Sequence, residues 1–208
     1  MVSGLVTVSV VSSAALELAL TEFTDPHLRA LSEAVARLLV EVNAAPRLAA
    51  HLRVVHDTAW QLTAAISDRF PGLRFDRDAV LFGAATHDIG KTLHPAELSS
   101  PGCAHEQAGY ELLLAHGIEA SLARFAHNHG TWTGPDISIE DLLVSVADKI
   151  WKAKRVPDLE DRLVRRVCDT TGAQRWQVFM DLDDILDAIA HGADARLAFQ
   201  ARHPVTAE

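Results

Sequence analysis

The sequence is poor in several features that assign many proteins to a class directly. It has two cysteines, Cys103 and Cys168, without the short CxxC spacing of zinc sites, so we expect free thiols in a reducing cytosol. Basic residues number 19 against 28 acidic ones, and the net charge of -9 argues against general binding of nucleic acids or anionic membranes. Aromatic residues make up only 6% of the chain, yet 49% of residues are hydrophobic, which is typical of a folded globular protein.

The sequence also lacks the usual signals of a membrane anchor or a secretory leader. Its first twenty residues are mostly apolar, but no basic stretch precedes them, and serines, a threonine and Glu17 interrupt the apolar run. We therefore expect an N-terminal extension that is disordered or that orders late in folding. We also expect a cytoplasmic protein without a membrane partner.

Helical periodicity dominates the rest of the chain. After Pro46, apolar residues recur at alternating spacings of four and three, which predicts a helix with one buried stripe: Leu48, Leu52, Val55, Ala59, Leu62 and Ile66. Further helices are predicted over about 104–116 and 118–128, each ended by a glycine, and from Ser138 to Ile150. Because no alternating strand pattern is convincing outside the first ten residues, we predict an all-α fold.

The length of 208 residues suggests one domain with extensions. We divide it into an extension and leading helix over 1–45, a central helical unit over 46–156, and C-terminal helices over 157–208 that pack on the centre. The C-terminal part contains an apolar set that is interpreted either as core packing or as the face of a homodimer: Trp176, Phe179, Leu182, Leu186 and Ile189.

Four groups that commonly bind metals lie beside the apolar stripes of these helices. His56 follows Val55, the pair His87 and Asp88 closes the next apolar helical segment, and Asp148 follows the apolar run of the helix after that. A buried carboxylate without a partner is costly, and one divalent ion held by two imidazoles and two carboxylates would satisfy all four groups. Two neighbours of His56 are instead interpreted as surface groups: His51 and Asp57.

In this order, the four residues resemble the signature of the HD superfamily of metal-dependent phosphohydrolases. The pattern is H…HD…D, extended by HDIGK at 87–91 and ADK at 147–149, and it covers roughly residues 48–155. The resemblance implies a helical bundle over the central unit 46–156, with the metal site in the bundle core. It also implies hydrolysis of phosphate esters by a metal-bound water.

Two further histidines, His105 and His127, extend the resemblance to members with two metals. In HD-GYP phosphodiesterases and YqeK-like dinucleotide hydrolases, histidines in these places bind the second ion, and Asp88 would bridge the two. An antiparallel helix pair brings such residues together, because the start of one helix then lies near the end of the next. His129 competes with His127, either as the ligand or as a partner of the ligand. The number of ions and their identity, Fe, Mn, Ni, Co or Mg, stay open.

Four residues near the signature are candidates for contact with the substrate. Lys91 follows the His-Asp pair and can hold a substrate phosphate, and His94 in the same loop can donate a proton to the leaving oxygen. Lys149 belongs to a basic run over 149–155, which either attracts an anionic substrate or is a solvated helix flank. Trp132 either stacks a base or sugar or packs against the core.

The departures from the family narrow the expected function. The HHE and GYP elements of cyclic-di-GMP phosphodiesterases are missing, and HNHGTWTGP stands in the corresponding stretch. We therefore predict a phosphohydrolase acting on a nucleotide, a dinucleoside polyphosphate or another small phosphorylated metabolite. The alternative is a di-iron oxygenase of the same fold, which would act on a small hydroxylated or phosphonate substrate with the same ligands. A ligand sensor without catalysis is the third hypothesis, and it would be expected to have lost ligands.

Overall fold

The computed structural model describes residues 13–23 and 25–206, and these residues form helices and loops without a strand. The all-α prediction is therefore confirmed. The predicted disordered extension falls largely on residues 1–12, which lie outside the described residues. The α-helices are α1 (Ala14–Thr21), α2 (Glu33–Glu41), α3 (Pro46–Arg69), α4 (Arg77–Thr86), α5 (Ala104–Ala115), α6 (Ala120–Asn128), α7 (Ile139–Ile150), α8 (Pro157–Thr171), α9 (Arg175–Ala190) and α10 (Ala193–Ala201).

Helix α3 lies at the centre of the molecule. Its 24 residues begin with Pro46, whose missing N–H is no loss at the first helical position. The helix contacts α1, α4, α7, α9 and α10, so it is buried on several sides rather than along one stripe. The predicted stripe is fully buried, but His51 and Asp57 are buried too, and their interpretation as surface groups is wrong.

Two helices carry the caps that their sequences predict. Of the two aspartates near the start of α4, Asp76 and Asp78, either of which the sequence allows as a cap, it is Asp76 whose side chain accepts a hydrogen bond from the backbone of Ala79. Ser138 starts α7 in a capping box with Asp141, in which each side chain bonds the backbone of the other. These caps fix the beginnings of the two helices that lead into His87 and Asp148.

Helix α4 ends at Thr86, and the chain turns into a short 3-10 helix over Ile89–Thr92, followed by a second one over Pro95–Leu98. The first of these 3-10 helices packs closely against α5 at Gly90. A Cβ atom at Gly90 would lie 2.0 Å from the carbonyl oxygen of His105 and 2.5 Å from the backbone nitrogen of Gly109. Only glycine allows this approach, which brings the first 3-10 helix next to the start of α5.

One hydrophobic core joins the described parts of the chain. It includes Leu16 of α1, Leu39 of α2, Leu143 of α7, Leu186 of α9 and Phe199 of α10. The central unit is therefore covered by helices from both ends of the chain, while the predicted boundaries at 45 and 156 stay predictions. Among the described residues, no helix has the length and apolar character needed to cross a membrane.

Candidate metal centre

Three metal-binding groups from different helices meet on the inner side of α3. His51 lies within α3, His87 follows the last residue of α4, and Asp148 lies in the last turn of α7. The Nε2 atoms of His51 and His87 are 3.4 Å apart. Oδ1 of Asp148 is 3.8 Å from the first of these nitrogens and 3.4 Å from the second. We call His51, His87 and Asp148 the first trio.

Three more groups form a second trio beside it: Asp88, His105 and His129. Asp88 follows α4, His105 lies in the first turn of α5, and His129 directly follows α6. The Nε2 atoms of the two histidines are 3.4 Å apart, and they lie 3.0 and 3.4 Å from Oδ1 of Asp88. All six groups of the two trios are at most 7% exposed.

The carboxylate of Asp88 connects the two trios. Its Oδ1 faces the histidines of the second trio, while its Oδ2 lies 3.1 Å from Nε2 of His51 and 3.6 Å from Nε2 of His87. The two oxygens of one side chain thus point to different groups of ligands. This is the arrangement that a carboxylate shared by two neighbouring cations requires.

Hydrogen bonds at the outer ring nitrogens orient two of the four imidazoles. Nδ1 of His87 is 3.0 Å from the carbonyl oxygen of Ala84, and Nδ1 of His129 is 3.0 Å from that of Ala126. A carbonyl oxygen only accepts, so each Nδ1 carries the proton and each Nε2 can present its lone pair to the centre. The two rings therefore have the tautomer that a metal ligand needs.

A carboxylate orients the third imidazole. Oε2 of Glu97 lies 2.5 Å from Nδ1 of His105, and the same side chain accepts hydrogen bonds from the backbone N–H groups of Ala104 and His105. The hydrogen bond with His105 is the main reason that the pKa of Glu97 is lowered. Glu97 lies in the second 3-10 helix, where no helical spacing links it to His105, and the sequence analysis did not identify it.

The electrostatics of the centre require positive charge. Burial alone would raise the pKa of Asp88, but the charge of His87 and hydrogen bonds with the surrounding histidines outweigh it and hold that pKa well below its usual range. For Asp148, burial is likewise outweighed by His87 and Lys149, so its pKa is lowered. Two ionised carboxylates are thus buried close together, a state that positive charge beside them stabilises and that a bound cation would stabilise further.

The donor set fits divalent metal ions. With metal–ligand bonds of about 2.1 Å, neighbouring ligand atoms lie roughly 3.0 to 3.5 Å apart. The distances within the two trios run from 3.0 to 3.8 Å, so each trio matches one face of a coordination shell. Four imidazoles and two carboxylates suit Mn, Fe, Co, Ni or Zn better than Mg, which prefers oxygen ligands alone.

The structure corrects the predicted position of one ligand on α3. His56 does not join either trio. It lies five residues after His51, about 140° further around the helix, and lines a separate cavity with Arg29 and Trp60. Burial lowers the pKa of His56 to about 4, so this side chain is a neutral packing residue. Spacing alone could not decide between the two, because His51 lies three residues after Leu48 and His56 lies three before Ala59, both of them stripe residues.

The second correction concerns the end of α6. His127 is exposed and its ring lies 6.4 Å from that of Tyr110, whereas His129 is buried and joins the second trio. The competitor named from the sequence is therefore the residue that the structure brings to the centre. The antiparallel pairing of α5 and α6 that was predicted to bring these residues together is present, since His105 begins one helix and His129 follows the other.

The residues proposed for substrate contact lie at the rim of the centre, with one exception. Nζ of Lys91 lies 2.6 Å from Oδ2 of Asp88, and Nζ of Lys149 lies 2.5 Å from Oδ2 of Asp148. The Lys149 ammonium is also 5.9 Å from the centre of the Trp132 ring. His94, which precedes the second 3-10 helix, makes no hydrogen bond or ion pair with the six ligand groups in the described part of the chain.

The basic run over 149–155 is less open than its sequence suggests. Arg155 pairs with Glu160 at 2.9 Å and with Asp183 and Asp187 at 2.6 Å each. These pairs tie the end of α7 to α8 and α9, so Arg155 is not available to attract a substrate. Within this run, Lys149 is the residue that forms an ion pair with a ligand of the centre.

Comparison with known proteins agrees with this geometry. A family model described as HD domain matches residues 35–151, which is more than half of the chain and contains all six groups of the two trios. The match confirms the resemblance that was inferred from the motif. No curated protein and no solved structure shows significant similarity to the chain.

Proposed function

The chain belongs to the HD domain family, and on that premise we propose that it is a metal-dependent phosphohydrolase that cleaves a phosphate ester of a small metabolite. The family as a whole is one of metal-dependent hydrolases, so the specific reaction is our proposal. The observation that carries it is the pair of adjoining trios, with the Asp88 carboxylate shared between them. A site for two neighbouring cations suits phosphoryl transfer, in which both the attacking and the leaving oxygen need charge stabilisation.

The trios would hold the metal ions, and these would supply an activated water and neutralise charge on the phosphoryl oxygens. His51, His87 and Asp148 would hold one ion, and His105 and His129 the other, with Asp88 contacting both. The tautomers of His87 and His129 are fixed by backbone carbonyls, and that of His105 by Glu97. These three imidazoles are therefore oriented before any ion binds, which lowers the cost of binding.

Lys91 and Lys149 would hold the phosphate of the substrate. Their side chains are less than a fifth exposed and their ammonium groups contact the two carboxylates of the centre. In a protein with a net charge of -9, these two ammonium groups place positive charge directly beside the centre. When the carboxylates bind cations instead, these ammonium groups are free to hold phosphoryl oxygens. The role of His94 as proton donor stays a prediction from the sequence, because among the described residues its side chain makes no hydrogen bond or ion pair with the ligand groups.

The proposal is tested on protein purified without chelators. We expect about two transition-metal ions per chain by elemental analysis, and release of inorganic phosphate from at least one member of a panel of phosphate monoesters and nucleotides. Chelation should abolish the activity and added Mn²⁺ or Co²⁺ should restore it. Absence of phosphate release, together with oxygen consumption by the iron-loaded protein, would instead establish the oxygenase alternative.

A matched pair of variants tests the role of Lys91. Lys91→Ala should raise KM for the phosphorylated substrate by about tenfold or more, because the charge that holds the phosphate is lost. Lys154→Ala is the control, since Lys154 is an exposed lysine beyond the end of α7. Equal effects of the two substitutions would contradict a specific contact between Lys91 and the phosphate.

A further inference from the structure

A cavity of about 500 Å³ lies between the loop after α6 and helix α8. Its volume is within the range of about 300 to 1,000 Å³ that small-molecule sites occupy. Trp132, Ile137 and Leu142 form its apolar side. Its polar side consists of six charged residues of α8: Asp158, Asp161, Arg162, Arg165, Arg166 and Asp169.

Trp132 places this cavity next to the metal centre. Its ring lines the cavity and lies 5.9 Å from Nζ of Lys149, which in turn lies 2.5 Å from Oδ2 of Asp148. A molecule whose phosphate is held by Lys149 would therefore have its other end beside the Trp132 ring. The cavity is in the place that the distal part of such a molecule would occupy.

The charges of the cavity indicate which kind of group it receives. Three arginines and three aspartates line it from the same helix, α8, so this wall of the cavity has no net charge. A second phosphate would gain little from a neutral lining. An uncharged group rich in hydrogen-bond donors and acceptors fits it better, because both kinds of partner are present.

Several of these polar groups are not used within the protein. Asp158, Arg162 and Asp169 make no side-chain hydrogen bond or ion pair with another residue in the part of the chain that the structure describes. By contrast, Arg166 donates to the carbonyl oxygen of Ile137 and so holds the loop against α8. One wall is therefore fixed while donors and acceptors remain for a ligand.

From these observations we propose that the cavity is the subsite for the nucleoside end of the substrate, with the base stacked on Trp132. The hydroxyl groups of the sugar and the polar edge of the base would bond to Asp158 and Arg162. This inference rests on the proposed function and narrows its substrate class to nucleotides. Helix α8 lies beyond residue 151, where the family match ends, so the charged wall of the subsite lies outside the matched domain, whereas Trp132 and the apolar side lie within it.

Two substrates that differ only by the base test the proposal: adenosine 5′-monophosphate and ribose 5-phosphate. The unaltered protein should have a kcat/KM about tenfold or more higher for the nucleotide, since stacking of one base commonly contributes a factor of this size. Trp132→Ala should remove most of this preference by raising KM for the nucleotide, with little change for ribose 5-phosphate. Trp132→Phe, which keeps an aromatic face, should restore part of it.

Trp176→Ala is the matched control, because Trp176 is 70% exposed on α9, away from the cavity. It should leave the preference unchanged. A preference for the nucleotide that is equal in the Trp132→Ala variant and the unaltered protein would overturn the subsite, while phosphate release itself would still support the proposed function.

Binding of unphosphorylated adenosine separates the two proposals further. Saturation-transfer NMR should show contact with adenosine in the unaltered protein and in Trp176→Ala, and loss of contact in Trp132→Ala. If adenosine binds in this way but no phosphate ester is hydrolysed, the subsite stands and the proposed function fails. The subsite is refuted if adenosine shows no saturation transfer from the unaltered protein. It is also refuted if the transfer is equally strong from the Trp132→Ala variant.

Discussion

The two trios of the centre differ in how the chain supports them. In the first, only His87 lies at a helix end, whereas His51 and Asp148 lie within the buried helices α3 and α7, whose backbones are held by their own hydrogen bonds and by the core. In the second, Asp88, His105 and His129 all lie at helix ends. One trio is positioned by helix packing, and the other depends on local contacts at chain turns.

The difference explains which residues surround each trio. The second trio is supported by two contacts from the segment that follows α4. Glu97 forms a hydrogen bond with His105, and the backbone at Gly90 packs closely against α5. The first trio has no corresponding carboxylate among the described residues, and Nδ1 of His51 has no hydrogen-bond partner there. Helix interiors need less support of this kind, since packing already restricts their side chains.

Substitution of Asp88, whose carboxylate is shared by the two trios, should have the largest effect on metal binding and activity. Asp88→Asn removes the negative charge common to both trios, so we expect metal content to fall towards zero and phosphate release to fall by about a thousandfold. Elemental analysis and a phosphate assay measure these effects, and circular dichroism should show the helices retained. A variant with full activity would refute the assignment of the centre.

Loss of one ligand from the first trio should have the next largest effect. His51→Asn should remove about one metal ion per chain and reduce turnover by about a hundredfold, because one coordination shell loses an imidazole. His56→Asn is the control on the same helix and should keep both the metal and the activity. The opposite result, with His56 essential and His51 dispensable, would contradict the structure.

Weakening the hydrogen bond from Glu97 that supports the second trio should have a smaller effect. Glu97→Gln weakens the hydrogen bond that orients His105, so metal affinity at the second trio should fall by about 10- to 100-fold. The first trio should keep its ion, and titration with Co²⁺ should therefore show one tight and one weakened site. Glu111→Gln, an exposed change on α5, is the control and should give two unchanged sites.

The smallest expected effect comes from protonation of His56, and it changes the stability of the protein rather than its activity. Burial lowers its pKa to about 4 in the folded protein, below the ordinary value of about 6.5. The unfolded chain therefore binds a proton first as pH falls, and the stabilising contribution of neutral His56 is complete above pH 6.5 and lost towards pH 4. Between pH 7 and pH 5 the loss should be about 2 kcal/mol.

Urea unfolding of the unaltered protein and of His56→Asn at both pH values isolates this contribution as a difference. The variant should lose less stability on acidification than the unaltered protein does. Equal losses would show that His56 does not titrate differently on folding.

The local pattern of the sequence determined much of this protein. The helical periods and caps predicted α3, α5, α6 and α7 within a few residues, because side chains three and four apart share a helix face whatever surrounds them. The dipeptide His87-Asp88 and Asp148 were identified correctly as members of the cluster, because each ends or lies beside an apolar run. His105 was identified through the resemblance to family members with two metals, and the structure places it in the second trio.

The tertiary structure decided which of two neighbouring histidines faces inward. The choices between His51 and His56, and between His127 and His129, depend on which sides of α3 and α6 are covered by other helices. Glu97 and the cavity beside Trp132 arise from contacts between segments far apart along the chain. A sequence pattern reports the apolar side of one helix, whereas a centre formed by several helices depends on the angle at which each meets its neighbours.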